Sequence, residues 1–315
     1  MARQRPAPAL IGMPTDLGAS RRGCSMGPEA LRVAGIHKVL ERLCGKMEDT
    51  GDIKGPRTTQ EVISNGYRHF DAAVAWFQKL SVSVYETLAD GQCPIVLGGD
   101  HSIAIGSIAG VSRYCRERQI PLTVLWLDAH ADFNTPATSP SGNLHGMPVA
   151  LLTDPDSDML RRMGQDKMFV AVNDFQLIGI RSIDHVEKQA VLAAGLEVYD
   201  MRQIDELGMR AVMETVLEKA IVKGGHLHVS FDIDFLDPLI APGTGTPVKG
   251  GPDYREAQLC MEMIYDTGLF GSLDIVEINP ALDIRNQTAE IAVELTASLF
   301  GEQILARHSG SRSVD

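Results

Sequence analysis

Four short apolar runs in this chain end directly in aspartate, histidine or glutamate, at 98–102, 128–132, 230–234 and 276–280. Apolar runs that alternate with helical patterns indicate parallel strands covered by helices on both faces of a sheet. We predict strands at 9–13, 94–97, 122–127, 175–180, 196–199, 227–231 and 273–278, and helices at 28–43, 70–89, 103–116, 209–223, 254–266 and 286–300. The predicted fold class is α/β, with three α/β/α layers and a mostly parallel sheet.

The sequence contains no internal repeat and no linker rich in Pro, Gly and Ser. Hydrophobic residues make up 44% and charged residues 22%, which is typical of a globular protein with a sizeable core. We predict one domain over 1–315, with its core at about 8–300 and a C-terminal tail at 301–315 that is frayed or engaged in subunit contacts. Residues 44–66, 133–146 and 239–253 are predicted to be irregular.

The charge balance and the cysteines limit the possible partners. The 41 acidic and 29 basic residues give a net charge of −12, which argues against nucleic acid or an anionic membrane as partner. No apolar stretch approaches the roughly 18 residues of a transmembrane helix. The five cysteines are dispersed, which predicts reduced thiols and a cytoplasmic protein.

The acidic and histidine residues alternate along two of the four segments. Residues two apart in an extended chain point to the same side, and the carboxyl ends of parallel strands bind ligands. We therefore expect two imidazoles and four carboxylates to converge as metal ligands: His101, Asp128, His130, Asp132, Asp232 and Asp234.

This donor set is rich in oxygen and lacks thiolate, so it favours Mn²⁺, with Zn²⁺, Co²⁺ or Fe²⁺ as competitors. Two cations about 3.5–4 Å apart can share a water and generate hydroxide near neutral pH. Such a cluster with hydroxide carries a net charge of about −1, which suits a cationic substrate and argues against a phosphatase. The sequence therefore predicts a metal-dependent hydrolase.

Other polar residues are interpreted as structural. Asp253 and Asp283 are expected to be solvated or to cap helices. Six of the other histidines lack a carboxylate-rich setting in the sequence and are predicted to be structural or exposed: His37, His69, His185, His226, His228 and His308.

Six motifs together resemble the arginases of the ureohydrolase family, and the resemblance covers about residues 8–300. The motifs lie at 98–102 (Gly-Gly-Asp-His-Ser), 128–134 (Asp-Ala-His-Ala-Asp-Phe-Asn), 141–148 (Ser-Gly-Asn-Leu-His-Gly-Met-Pro), 230–238 (Ser-Phe-Asp-Ile-Asp-Phe-Leu-Asp-Pro), 243–248 (Gly-Thr-Gly-Thr-Pro-Val) and 276–280 (Val-Glu-Ile-Asn-Pro). The segment 16–28 is also similar to the family.

The resemblance implies hydrolysis of L-arginine to L-ornithine and urea by a hydroxide that bridges two Mn²⁺ ions per chain. Co²⁺, Fe²⁺, Ni²⁺ or Zn²⁺ are possible substitutes, and a homo-oligomer, either a trimer or a hexamer, is implied. The resemblance assigns ligands in three pairs, for one ion, for the other ion and for the bridge: His101 with Asp132, His130 with Asp234, and Asp128 with Asp232.

The resemblance also implies roles in catalysis. Glu277 would hold the guanidinium group, His145 would carry protons to the leaving amine, and Asp132 would stabilise the tetrahedral intermediate. The implied substrate contacts are Asn134, Ser141 and Asn143 at the α-carboxylate, Asp184 and Glu187 near the α-amino group, and Thr246.

Several alternatives stay open. Ser and Asn in a glycine-containing loop are often only turn formers. Ser182 and His185, beside Asp184, depart from the residues that many relatives have there. An agmatinase or another guanidino hydrolase, and a non-catalytic protein that binds arginine or ornithine, are the alternative functions.

Overall fold

The computed structural model describes residues 6–56, 63–165 and 167–305. Strands and helices alternate along these residues. The strands are β1 Pro8–Gly12, β2 Glu48–Asp52, β3 Ile63–Ser64, β4 Tyr67–Arg68, β5 Cys93–Leu97, β6 Leu122–Leu127, β7 Phe175–Ile180, β8 Glu197–Asp200, β9 His226–Asp232 and β10 Phe270–Val276. The α-helices are α1 Gly27–Val33, α2 Ile36–Cys44, α3 Phe70–Ala89, α4 Ala104–Glu117, α5 Pro148–Thr153, α6 Asp158–Arg162, α7 His185–Ala194, α8 Met201–Leu207, α9 Met209–Lys223, α10 Tyr254–Asp266 and α11 Gln287–Leu299.

The main sheet has the strand order β2-β1-β5-β10-β9-β6-β7-β8, and its strands pair in parallel. The short strands β3 and β4 form a separate antiparallel pair. Because the main strands are parallel, their carboxyl ends lie at one edge of the sheet. That edge brings together the segments after β5, β10, β9 and β6, which are neighbours in the sheet but not in the sequence.

The strands β1, β5, β6 and β7 are buried along their whole length, which explains why their sequences are mostly apolar. Val96 and Trp126 face a core that includes residues of α3 and α4. Ile95, Leu97 and Leu125 face a second core, which includes residues of α9, α10 and α11. Successive residues of one strand therefore enter opposite cores, and the predicted three-layer α/β/α fold is confirmed.

The segment 28–43 was predicted to be one helix, and that prediction is wrong. It forms two helices, α1 and α2, separated at Ala34 and Gly35. Gly35 has φ +91°, a backbone conformation that ends a helix and that glycine adopts without steric cost. The Ala-Gly pair thus redirects the chain without a proline.

The segment 44–66 was predicted to be irregular, and this is wrong for 48–52, which form β2 at an edge of the main sheet, and for 63–64, which form β3. Only one neighbour pairs with an edge strand, and most of β2 is exposed. Its polar sequence reflects that exposure and hides the strand from hydrophobic patterns. The prediction for residues 57–62 lies outside the described residues.

The other predicted elements agree with the structure to within a few residues, and residues 239–253 are irregular as expected. Four of the helices were not predicted from the sequence: α5, α6, α7 and α8. Most of the predicted tail, 306–315, lies outside the described residues. No helix in the described ranges combines the length and apolar character needed to cross a membrane.

Candidate active site

A cavity of about 260 Å³ lies at the carboxyl edge of the central strands. Among the residues predicted for the site, all but the buried Asp128 and Asp234 line this cavity. Those that line it are His101, His130, Asp132, Asn134, Ser141, Asn143, His145, Asp184, Glu187, Asp232, Thr246 and Glu277. Ser139, Pro140, Gly146 and Ser182 also line it and were not predicted as substrate contacts.

The acidic side chains converge through turns, not through the extended strand ends that the alternation suggested. The Asp128 carboxylate accepts a hydrogen bond from the His130 N–H (2.6 Å), just after β6 ends. Asp232 accepts one from the Asp234 N–H (2.8 Å), where β9 passes into a 3₁₀-helix. Asp132 has a left-handed backbone, with φ +49°. Aspartate favours such local turns because its short side chain reaches the backbone two residues on.

The first group of candidate ligands surrounds the buried His101 imidazole. Its Nδ1 lies 2.9 Å from an oxygen of Asp128, 3.0 Å from one of Asp232 and 3.3 Å from one of Asp132. This nitrogen nevertheless makes no aligned hydrogen bond. A buried nitrogen that faces three carboxylates without donating to any of them has the arrangement of a metal ligand.

The second group surrounds His130. Its Nδ1 lies 3.1 Å from Asp234 Oδ2 and 3.4 Å from Asp128 Oδ1. Asp128 therefore turns one carboxylate oxygen toward each imidazole. The ligand atoms within each group, His101 with Asp128 and Asp232, and Asp128 with His130 and Asp234, lie within 4.8 Å of one another.

The electrostatics of the cluster also suit cations. Burial and the charge of Asp128 raise the pKa of Asp132 well above its ordinary value. Burial disfavours charge on His130, but the carboxylates of Asp234 and Asp128 raise its pKa to about 12. The buried carboxylates of the cluster repel one another, so nearby positive charge is required to stabilise their ionised forms. The residues present fit two divalent cations that prefer oxygen and imidazole ligands.

Glu277 forms a second buried feature of the site. Its Oε1 accepts hydrogen bonds from the His101 N–H (2.8 Å) and from His145 Nδ1 (3.0 Å), and its Oε2 accepts one from the Cys24 thiol (3.3 Å). Burial opposes ionisation of Glu277, but the hydrogen bond and charge of His145, together with the hydrogen bonds from His101 and Cys24, outweigh burial and lower the carboxyl pKa. Burial likewise opposes charge on His145, yet Glu277 raises the imidazole pKa. Glu277 and His145 thus place a carboxylate anion next to an imidazole that can carry a proton.

Two outer residues of the cavity contact each other. Asn134 donates from its amide to Asp184 Oδ2 (3.0 Å). The other oxygen of Asp184 accepts from the N–H groups of Val186 and Glu187, and so caps α7. Glu187 accepts from the Phe133 N–H (2.8 Å). Asp184 is therefore both part of the cavity wall and a helix cap.

The remaining predicted contacts lie in two loops. Ser141 Oγ accepts from the Asn143 N–H (3.2 Å), and the Asn143 side chain accepts from Ser20 (2.9 Å). Thr246 donates to Asp234 Oδ2 (3.0 Å). The structure thus brings the predicted residues to one cavity, although their roles in binding stay predictions.

Some residues that support the site from outside the cavity lining were not predicted as site residues. Cys24 contacts Glu277, Ser230 contacts the His101 imidazole (2.9 Å), and Asp100 binds the Gly18 N–H (2.8 Å). Ser230 precedes Asp232 by two positions on β9. The two-residue period of a strand could therefore have indicated that the Ser230 side chain faces the same side as Asp232. No local pattern pointed to Cys24, since 253 residues separate it from Glu277.

The fold and the site define the class: an α/β protein whose parallel sheet carries two adjoining groups of metal-ligand side chains at its carboxyl edge. Comparison with known proteins gives the family. The Arginase family matches residues 7–301. The arginase of Bacillus caldovelox is 44% identical over 300 residues, which are 94% of this chain and 99% of that protein. The chain belongs to the arginase family and is a hydrolase of that family.

Solved structures agree. The structure of the B. caldovelox arginase at pH 5.6 superposes with a TM-score of 0.90 at 42% identity, covering 95% of this chain and 100% of that one. The Entamoeba histolytica arginase in complex with L-ornithine has a TM-score of 0.87 at 30% identity, with 95% and 100% covered. A hypothetical agmatinase from Burkholderia thailandensis, at 24% identity and a TM-score of 0.69 with 94% and 85% covered, shares the fold alone.

Proposed function

We propose that this protein hydrolyses L-arginine to L-ornithine and urea with two Mn²⁺ ions. The observation that carries the proposal is the position of Asp128, whose two oxygens face the imidazoles of His101 and His130. The Glu277 carboxylate lies in the same cavity and suits a guanidinium group. The names of the relatives, and the L-ornithine bound to the E. histolytica enzyme, support the same reaction.

The six candidate ligands would hold the metals. When bound, two such ions supply a hydroxide near neutral pH, which can attack the poorly electrophilic guanidinium carbon. The oxygen-rich set favours Mn²⁺, with Co²⁺, Fe²⁺, Ni²⁺ or Zn²⁺ as substitutes. The proposed assignment follows the family: His101 with Asp132 for one ion, His130 with Asp234 for the other, and Asp128 with Asp232 for the bridge.

The buried carboxylate of Glu277 would hold the substrate guanidinium. The donors from His101 and His145 fix its orientation before substrate arrives, so little reorganisation is needed on binding. Gly245 lies beside the Glu277 carboxylate. A Cβ at this position would be 3.6 Å from Glu277 Oε2. The glycine leaves room for a planar group against the carboxylate.

His145 would donate the proton that the leaving amine requires. Its imidazole is partly buried, lines the cavity and has a raised pKa beside Glu277, so it carries a proton more readily than a free histidine. Asp132, which lines the cavity beside His101, would stabilise the tetrahedral intermediate and help move its proton.

Replacing His145 with Asn is expected to lower kcat about 100-fold or more, because the leaving amine loses its general acid. Steady-state urea release would measure the loss, together with the Mn²⁺ content per chain, which should not change. His37→Asn on the exposed face of α2 is the matched control. An unchanged kcat in the His145 variant would remove His145 from the mechanism.

The outer residues would select arginine by its α-carboxylate and α-amino groups. Asn134, Ser141 and Asn143 offer neutral polar groups at one part of the cavity, and Asp184 and Glu187 offer acidic groups at another. Agmatine lacks the α-carboxylate. A site that reads this group by hydrogen bonds should discriminate strongly, because its polar groups are otherwise left unpaired.

The test of the proposed function is urea release from L-arginine and from agmatine, with protein stripped of metal and then reloaded with Mn²⁺. We expect urea from arginine, only after reloading, and a kcat/KM for agmatine lower by about 10³-fold or more. Urea released mainly from agmatine would contradict the assignment of L-arginine as the substrate but would remain consistent with metal-dependent hydrolysis. Arginine binding without urea, at full metal loading, would favour the non-catalytic alternative.

We also propose that residues 1–315 act as one catalytic domain in a cytoplasmic homo-oligomer, a trimer or a hexamer. The cysteines Cys24, Cys115 and Cys260 are free thiols, which supports a reducing compartment. The oligomeric state rests on the family resemblance. Light scattering coupled to size-exclusion chromatography measures it, and a monomeric mass would overturn it.

A further inference from the structure

A buried row of polar side chains continues from the metal-ligand cluster down strands β9 and β10. Asp274 is fully buried; its Oδ2 accepts hydrogen bonds from Ser107 of α4 and from His228 (3.2 Å). His228 also contacts Ser272 (2.8 Å). His228 was predicted to be structural or exposed; it is buried, and the carboxylate beside its imidazole comes from the neighbouring strand.

The second oxygen of Asp274 has no hydrogen-bond partner among the described residues, although it is buried. A carboxyl oxygen left without a hydrogen bond in a protein interior costs free energy comparable to a lost hydrogen bond. Native structures keep few such atoms, and each one points to a missing partner or a functional role. None of the proposed catalytic steps uses Asp274.

Within the described ranges, Asp274 Oδ1 lacks a hydrogen-bond donor, and the Ser230 hydroxyl lacks an acceptor. The Ser230 Oγ lies 2.9 Å from His101 Nε2, while His101 Nδ1 faces the carboxylates of the cluster. With Nδ1 directed at a metal, Nε2 carries the ring proton and donates it to Ser230. The Ser230 hydroxyl then has a proton of its own and requires an acceptor.

The strand register brings this donor and this acceptor together. Ser230 and Asp274 are paired positions on the parallel strands β9 and β10, so their side chains leave the same face of the sheet. Neighbouring strands are about 4.8 Å apart. One water can bridge the Ser230 hydroxyl and the unpaired carboxylate oxygen, which leaves the Ser230 Oγ in contact with His101.

We propose that Asp274 is a positioning residue for the metal centre, acting on His101 through Ser230. The buried carboxylate orients the serine hydroxyl, the hydroxyl orients the imidazole, and the chain increases electron donation from Nδ1 to the metal. Carboxylates that support a metal-bound histidine in this way typically contribute 10- to 100-fold in metal affinity. The inference rests on metal binding in the proposed function, but not on the identity of the substrate.

The test is a Mn²⁺ titration of the metal-free protein, with free Mn²⁺ measured by electron paramagnetic resonance. Asp274→Asn keeps the size of the side chain and removes its charge, and Ser230→Ala removes the link. We expect each variant to bind one ion normally and the other about 10- to 100-fold more weakly. The double variant should be no weaker than the weaker single variant, because both act on one path.

Ser272→Ala is the matched control, since Ser272 contacts His228 and His226 but not Ser230. It should bind both ions as the unmodified protein does. Thermal unfolding of each variant shows whether it folds. If Asp274→Asn does not fold, the test uses Ser230→Ala and Asp274→Glu, and we expect both variants to bind one of the two ions more weakly.

Unchanged affinity in Ser230→Ala, additive losses in the double variant, or an equal loss in Ser272→Ala would overturn the inference. So would unmodified protein that binds fewer than two ions. The titration contains no substrate, so its result is independent of urea release. Two bound ions without urea would contradict the proposed function alone.

Discussion

Asp128→Asn is expected to abolish urea release, with a loss of at least about 10³-fold, and to weaken the binding of both Mn²⁺ ions. Asp128 turns its two oxygens toward His101 and His130, so it is the side chain best placed to bridge two cations. An amide keeps the shape but loses the charge that attracts both ions. Metal ions contribute several kcal/mol of transition-state stabilisation, which is a factor of 10³ or more in rate.

Metal content per chain and urea release at saturating Mn²⁺ measure this effect. Asp71→Asn is the matched control, because its side chain is 84% exposed and lies far along the sequence from the cluster. It should keep full activity and two ions. Full activity in Asp128→Asn would mean that the two groups of ligands do not share a carboxylate, and the binuclear proposal would fail.

Glu277→Gln is expected to lower kcat/KM for L-arginine by about 10²- to 10⁴-fold while both metals stay bound. Glu277 is almost fully buried, and its charge would pair with the substrate guanidinium. Removing one partner of a buried ion pair typically costs 3–5 kcal/mol, which corresponds to this factor. The amide also presents an N–H₂ group where the guanidinium needs an acceptor.

The measurement is kcat/KM together with Mn²⁺ content, so that lost metal and lost substrate binding are told apart. Glu86→Gln, at an exposed position of α3, is the matched control. Normal kcat/KM in Glu277→Gln would exclude Glu277 as the guanidinium partner. Loss of metal in the same variant would instead indicate that its bond to the His101 N–H maintains the ligand geometry.

Much of the fold follows from hydrophobic patterns. Strand β6 and helices α3, α9 and α10 begin and end where the sequence analysis predicted them, because their burial is continuous or periodic. Strand β2 was missed for the opposite reason: as an exposed edge strand it carries Glu, Asp and Thr. Short helices such as α6 were missed because one or two turns carry little periodicity.

The candidate site shows the same division. Alternating Asp and His after apolar runs identified the candidate metal ligands, but the reason offered for their convergence, an extended chain, is incorrect. Turns capped by Asp128 and Asp232 bring the side chains together. The contacts of Cys24 and of Asp274 could not be predicted, since their partners come from distant segments or from a neighbouring strand.

The sequence by itself determined which residue types stand at the carboxyl ends of the strands, and with them the chemistry that the site can support. That information is local, because strand ends and their polar residues are contiguous in the chain. Only the tertiary structure decided which of these residues meet. The order β5-β10-β9-β6 brings Glu277 to the His101 N–H across 176 residues and aligns Ser230 with Asp274. The packing of the whole sheet selects that strand order, and no single segment encodes it.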